Sequence, residues 1–290
     1  MNDFVIITDS CCDLPAPMAD ELGLHTIPLS FEIDGQLYRN DLSWSELAPE
    51  VFYQYLREEK SSKTMALNIG DYTGAIEPFL ETGQDVLLLT FSSGLSNTYN
   101  ASIIACSDLR EKYPERKLFT VDTLSASMGQ GLLAYLAAKQ REAGKDIDAV
   151  RAFAEETKLN ICHWFTVSDL KFLKRGGRIS GATALLGTML GIKPVLHVDQ
   201  EGHLVSVSKA RGRGASITAL LDHMAKTVLS PENQTVFISH CDCPEDAEQL
   251  RSMVASRFPV QNIFIGHIGP VIGSHSGPGT LALFFIGSQR

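Results

Sequence analysis

The chain has 290 residues, 44% hydrophobic and 20% charged, with a formal net charge of −9. That length is too great for one small core and comfortable for two, and so ordinary a composition excludes a disordered chain, a collagen and a coiled coil. The acidic balance argues against general nucleic-acid binding, because neutralising phosphates needs surplus Lys and Arg.

No apolar run reaches the roughly 18 residues of a membrane-spanning helix. The N-terminus lacks a basic segment and runs straight into a strand pattern, so no secretory signal and a cytoplasmic location are expected. The six cysteines stand as Cys11-Cys12, Cys106, Cys162 and Cys241-Asp242-Cys243. These spacings give neither a disulfide framework nor a zinc signature, so reduced thiols and no metal are expected.

In chain order, Phe4 to Ile7 reads as a strand, followed by a helix capped by Asp13 with Pro15 in its first turn and Gly23 as its stop. Ile27 to Arg39 reads as two strands around the Asp34-Gly35 hairpin signal. A helix is expected over 45–59, strands over 85–91 and 118–121, and a helix over 127–143 ended by Gly144. This alternation predicts a parallel α/β sheet. Beyond it come a helix over 149–159, two helices over 168–173 and 182–190, and strands over 194–198 and 204–208. A helix over 217–229, a strand over 235–239, a helix over 244–258 and strands over 262–267 and 281–286 complete the chain. The mixed second half predicts an α+β domain, with the boundary near Asn160: an N-terminal α/β domain over 1–160 and a C-terminal domain over 161–290.

Four polar or Gly-rich segments follow expected strands, where open α/β sheets bind ligands. They are Thr8-Asp9-Ser10, the run Ser92 to Tyr99, Asp122-Thr123 leading into Ser125, Ser127 and Gly129, and Gly266 to Gly279. Clustered hydroxyls and bare backbone N–H groups can hold an anion without a metal; the same residues can also simply cap helices and satisfy turns. The nucleophile-elbow, phosphate-loop and dinucleotide patterns are absent. A hydrolase using Ser96 and His275, oriented by Asp9, remains an alternative.

Between Lys171 and Arg213 there are eight Lys and Arg against two acids, Asp199 and Glu201. A positive zone on an acidic chain suggests a docking face for an acidic partner or a phosphate-bearing ligand. The apolar, Gly-interrupted run over 182–196 can serve as core or line an apolar cavity, with Met189 a flexible lining residue.

Taken together, the segments Thr8-Asp9-Ser10 with Asp13-Leu14-Pro15, Lys63-Thr64, Ser92 to Tyr99 and Val121-Asp122-Thr123 resemble the bacterial DegV family of fatty-acid-binding proteins. The resemblance continues through Leu170 to Ser180, Gly191-Ile192-Lys193-Pro194 and Gly273 to Gly279. Two departures stand out: Met65-Ala66-Leu67 after Thr64, and Asn97 where the family often has Gly, a place where Asn tolerates left-handed backbone.

The resemblance implies a two-domain α/β fold with a ligand tunnel between the domains, a long-chain fatty acid as ligand and no cofactor. It implies carboxylate binding by Thr64, Ser96 and His275, with additional loop contacts from Ser93, Asn97 and Gly129; a protonated His275 would supply a charge-assisted bond. It further implies that the chain is the lipid-binding subunit of a fatty acid kinase, lacking an ATP site of its own. A separate ATP-binding kinase subunit would dock at Arg178 and Arg211 and form the acyl-phosphate for phospholipid metabolism, with transient membrane contact for lipid exchange. Burying a sixteen-carbon chain gains roughly 11 kcal/mol gross at about 0.8 kcal/mol per methylene, less the costs of ordering and association. A lone buried charge would be prohibitive, so the head needs charge-assisted donors near the surface. Tail length preference would rest on side chains such as Met189, Leu190 and Phe284.

Overall fold

The computed structural model describes residues 4–179 and 191–290. The first half runs β1 (Phe4–Asp9), α1 (Ala16–Glu21), β2 (Leu24–Ile27), β3 (Leu29–Ile33), β4 (Gln36–Asn40), α2 (Pro49–Arg57) and β5 (Ser62–Met65). It continues with α3 (Ile69–Glu81), β6 (Asp85–Thr90), α4 (Thr98–Lys112), β7 (Leu118–Asp122), α5 (Met128–Glu142) and α6 (Ile147–Thr157). Beyond these lie β8 (Ile161–Thr166), α7 (Lys171–Arg175), β9 (Ile192–Val198), β10 (Leu204–Arg211), α8 (Arg213–Thr227) and β11 (Thr235–His240). The last elements are α9 (Pro244–Arg257), β12 (Asn262–His267), α10 (Pro270–Ser276) and β13 (Leu281–Ile286).

The mixed α/β class expected from the sequence is the class observed, with the expected parallel sheet in order β2-β1-β6-β7. Its central strands are continuous apolar runs because both faces are covered. Ile6, Leu87 and Leu89 face a core shared with α5, while Val5, Ile7, Val86 and Leu88 face a second core containing Tyr72 and Ile76 of α3. A three-stranded antiparallel sheet, β4-β3-β5, flanks it. Asp34 and Gly35, at φ of 52° and 80°, fill the two left-handed positions of the hairpin turn. The six-stranded sheet, β10-β9-β8-β13-β11-β12, is antiparallel except for the β11–β12 pair.

Helix α5 lies between the parallel and six-stranded sheets, touching β1 and β6 on one and β8, β11 and β13 on the other. It is therefore buried on several faces, from Met128 to Ala134 without a break, and carries no clean polar stripe. Helix α10 crosses back from the six-stranded sheet to pack on α2, α7, β3 and β5.

Several readings need correction. Asp13 does not cap α1, whose first turn starts behind Pro15; it sits at φ 52° after the turn Ser10–Cys12. The helix expected from Ser45 starts at Pro49, and α7 starts at Lys171 rather than Ser168. The segment from Gly266 to Gly279 is not all loop, since it contains α10. The expected helix over 182–190, with Met189 and Leu190, lies outside the described residues. Strands β2, β5 and β8 and helices α3, α4 and α10 were not expected. A signal for α3 was present: Asn68 and Asp71 form a capping box, each side chain accepting the other's backbone N–H.

Candidate functional site

The carboxyl ends of β1, β6 and β7 lie side by side in the parallel sheet, so their following loops converge. Two strand-end acids pin those loops. Asp9 accepts the N–H groups of Cys11 and Phe91 at 3.0 and 2.8 Å, and Asp122 accepts those of Ser93 and Leu124 at 3.2 and 3.0 Å. Burial raises the Asp9 pKa to about 6 against the pull of its N–H donors and Gln130.

The loop after β7 is held in an unusual conformation. Leu124 and Ser127 have φ of 49° and 53°, a region costing non-glycine residues on the order of 1–3 kcal/mol. The Ser127 hydroxyl donates to Asp13 Oδ2 at 2.6 Å and meets Ser239 Oγ at 3.0 Å. Burial pushes Asp13 up to about 8, so its carboxyl is protonated at neutral pH. The guanidinium of Arg290 donates to the Leu124 carbonyl at 2.6 Å and the Asp199 carbonyl at 3.1 Å, fixing the loop from outside.

Between these loops and the six-stranded sheet is a cavity of about 260 Å³. Its walls are mainly apolar: Phe91, Leu95 and Ala126 come from the loops, and Phe165, Ala282 and Phe284 from β8 and β13. Ile268, Val271 and Ile272 close it from the segment around α10. His163 also lines it. Its Nδ1 faces the Ile161 carbonyl at 3.0 Å and its Nε2 accepts the Ala126 N–H at 3.5 Å, the pattern of a neutral ring. Burial, with Arg290 nearby, holds its pKa well below the ordinary value.

Thr64, Ser96 and His275 all line this cavity. They come from β5, the turn before α4, and α10. Thr64 Oγ1 and His275 Nε2 are 2.8 Å apart. The ring can approach because Gly176 lacks a side chain: a Cβ there would lie 2.2 Å from His275 Nδ1. Ser96 Oγ instead contacts Thr98 Oγ1 at 2.8 Å and accepts the Thr98 N–H at 3.2 Å, closing the first turn of α4. The protein's own groups disfavour the protonated form of His275. Burial and the positive charges of Arg178 and Arg175 lower its pKa to about 4, so the ring is neutral at pH 7. Positive charge comes instead from Arg178, which lines the cavity and donates to the carbonyls of Leu95 and Gly176 at 3.2 and 2.5 Å.

A second, polar cavity of about 360 Å³ shares Thr64, Arg178 and His275 with the first. These three residues therefore form the junction between an apolar chamber and a polar one.

The other expected contacts fall elsewhere. Ser93 is exposed and lines neither cavity. Asn97 lines the apolar cavity, but at φ −74° it makes no use of left-handed tolerance. Gly129 is packing: a Cβ there would sit 2.0 Å from His163 Nε2. Thr8, Asp9 and Ser10 line neither cavity. Arg211 is exposed at the end of β10, paired with Ile192. The basic residues between Lys171 and Arg213 have different partners. Lys171 pairs with Glu59 at 3.0 Å and Arg213 with Asp246 at 2.9 Å, whereas Arg175 and Arg178 line the polar cavity. Of the residues that depart from the family pattern, Met65, Ala66 and Asn97 line the apolar cavity and Leu67 does not.

The DegV family profile, described as "Uncharacterised protein, DegV family", matches residues 3–288. The chain belongs to the DegV family. A DegV domain-containing protein of Clostridium perfringens is 45% identical over 290 residues, covering 100% of this chain and 99% of the relative. Among solved structures, one described as fatty acid binding of a DegV family protein from Thermus thermophilus is 32% identical with a TM-score of 0.88. It covers 97% of this chain and 98% of its own. DegV of Bacillus subtilis, described as a fatty acid binding protein, is 27% identical with a TM-score of 0.83, covering 98% of this chain and 99% of its own.

Proposed function

We propose that this DegV protein is a carrier for a long-chain fatty acid, held between an N-terminal lobe (residues 1–160) and a C-terminal lobe (161–290). The carrying observation is the shape of the site: an apolar cavity whose junction with a polar one is formed by Thr64, Arg178 and His275. The acyl chain fills the first chamber, where each methylene removed from water gains about 0.8 kcal/mol. The carboxylate meets the hydroxyls of Thr64 and Ser96, the His275 ring and the Arg178 guanidinium. Donors of this kind compensate the loss of water, which a lone buried charge would not survive.

The polar chamber leaves the head group open to chemistry while the tail stays covered. A separate ATP-binding kinase subunit then acts on it. A carboxylate oxygen attacks the terminal phosphorus of ATP, the bond to the bridging oxygen breaks, and acyl-phosphate and ADP result. Arg178, and Arg211 at its more distant position, are the residues proposed to serve kinase docking or phosphoryl transfer. Loading and unloading proceed through transient membrane contact. Against the hydrolase alternative, Ser96 engages Thr98 and His275 engages Thr64, and among the described residues no serine hydroxyl bonds the His275 ring.

Mass spectrometry of organic extracts from the purified full chain tests the binding reading. A co-purifying fatty acid, with a thermal shift when palmitate is added to delipidated protein, is the expected result. No extracted lipid and no shift would overturn it.

A further inference from the structure

The segment that follows β13 carries a part-buried cation, Arg290, that lines neither cavity. The segment is itself fixed. The Gly287 N–H donates to the Asn160 carbonyl at 2.9 Å, the Ser288 N–H to the Thr227 carbonyl at 2.8 Å, and the Cys162 thiol to the Gln289 carbonyl at 3.2 Å. A guanidinium offers about five N–H donors in a planar fork, and Arg290 makes five hydrogen bonds. Its Nε donates to the Ile161 carbonyl at 3.1 Å, and its Nη1 to the Leu124 and Asp199 carbonyls at 2.6 and 3.1 Å. Its Nη2 donates to the Ser125 hydroxyl at 3.0 Å and the Lys158 carbonyl at 2.6 Å. All of these acceptors are neutral. Withdrawing a charge from water without a carboxylate partner is costly, and burial lowers the Arg290 pKa to about 10.

The acceptors belong to three separate segments. Leu124 and Ser125 are in the loop after β7, whose Ala126 and Ser127 line the apolar cavity. Asp199 is in the turn between β9 and β10, and Val198 and Leu204 on either side of that turn line the same cavity. Lys158 and Ile161 flank the crossing from α6 into β8. The loop after β7 holds Leu124 and Ser127 at φ of 49° and 53°, conformations that persist only where the surroundings enforce them. We propose that Arg290 is a positioning residue of the apolar chamber: its guanidinium couples the loop after β7 to the β9–β10 turn, and this coupling sets how slowly a bound acyl chain leaves. The inference rests on the carrier reading and goes beyond it, by placing control of ligand exit at a residue outside both cavities. An enclosed acyl chain leaves only when its walls part, so a tie between two walls acts on dissociation more than on association.

The test uses the full-length, delipidated protein loaded with cis-parinaric acid, whose fluorescence reports its release when excess palmitate is added in stopped flow. Arg290→Met keeps the apolar stem and removes every donor. It is expected to speed release at least about tenfold while association changes by less than about threefold. Hydrogen exchange should quicken over residues 123–127 and 198–204 together. Leu250→Ala, in the core on the opposite face of the six-stranded sheet, controls for stability alone. At a comparable loss of melting temperature its release rate should stay within about twofold of the unsubstituted protein. Equal acceleration in the two variants, or quickened exchange in only one of the two segments, would overturn the proposal. Should Arg290→Met fail to fold, Ser125→Ala, which removes one acceptor, decides the matter. Release faster by about two- to threefold supports the coupling, and an unchanged rate overturns it. Failure of cis-parinaric acid and palmitate to bind the unsubstituted protein would instead strike the carrier reading beneath it.

Discussion

The two chambers that meet at Thr64, Arg178 and His275 are built in opposite ways. The apolar one takes Phe165, Ala282 and Phe284 from adjacent strands of one sheet and closes them with strand-end loops. Its walls are continuous with the hydrophobic core that includes Phe165 and Phe284. The polar one is assembled from three short pieces far apart in the chain: β5 with the residues before it, the end of α7, and α10. The first is secured by the burial that folds the protein. The second depends on local contacts such as Ser62 with Ser274 and the bare face of Gly176 against His275. Affinity should therefore be controlled from the apolar side, and the fate of the head group from the polar side.

The largest expected effect breaks the apolar side alone. Ala282→Phe adds a ring on the cavity wall beside Phe284 and takes the volume an acyl chain needs. Palmitate affinity should fall by about 100-fold, the cost of a few displaced methylenes, with the folded state retained by circular dichroism. Unchanged affinity would mean that the ligand does not use this chamber.

Ser96→Ala sharpens the polar side. Removing one donor from a desolvated carboxylate should cost about 1.5–3 kcal/mol of palmitate affinity. Because Ser96 also closes the first turn of α4, the melting temperature of the unliganded variant must be measured alongside. A loss of stability with no loss of affinity would reduce Ser96 to a turn residue.

Asp13 tests the wall between the sheets through pH. Its pKa in the folded protein, about 8, lies above the ordinary 3.8. Folding therefore favours its protonated form, and the associated stability is complete below about pH 4 and is lost as pH rises through about 8. Asp9, raised to about 6, acts in the same direction at lower pH. Asp13→Asn should remove the Asp13 part of this dependence, a difference on the order of a few kcal/mol between pH 5 and pH 9 in urea titrations. An unchanged pH profile would show Asp13 to be ionised in the fold.

The smallest effect is expected at Arg211, exposed and outside both cavities. Arg211→Ala should leave palmitate affinity within about twofold, because a screened surface charge acts weakly on a distant ligand. A slower kinase-dependent formation of acyl-phosphate would identify it as a docking residue, and loss of palmitate binding would contradict its placement.

Much of the scaffold was legible in the sequence. Buried strands such as β1 and β6 announce themselves because a chain segment covered on both faces must be apolar throughout, although β8, equally buried, was passed over. Helix α10 did not, since Pro270 to Ser276 includes Gly273 and two serines and has little helical propensity; packing against α2 and α7 holds it. Helix α4 was missed because its buried side contains Thr98 and Ser102, residues that read as polar. The site residues were legible only as motifs. Nothing local to Thr64 or His275 says that they lie 2.8 Å apart. The neutral state of His275 likewise depends on burial and on Arg175 and Arg178, which approach it only in the folded chain.

By itself, then, the sequence determined the acidic balance, the alternating elements, the parallel sheet and the family pattern, since these depend on residue type and spacing along the chain. Tertiary structure alone decided which hydroxyls face a cavity, which basic residues escape ion pairing, and that an apolar and a cationic chamber share one junction. Those properties arise from distances between segments some 200 residues apart, as between Thr64 and His275, and a linear pattern of side chains does not encode such distances until burial brings the segments together.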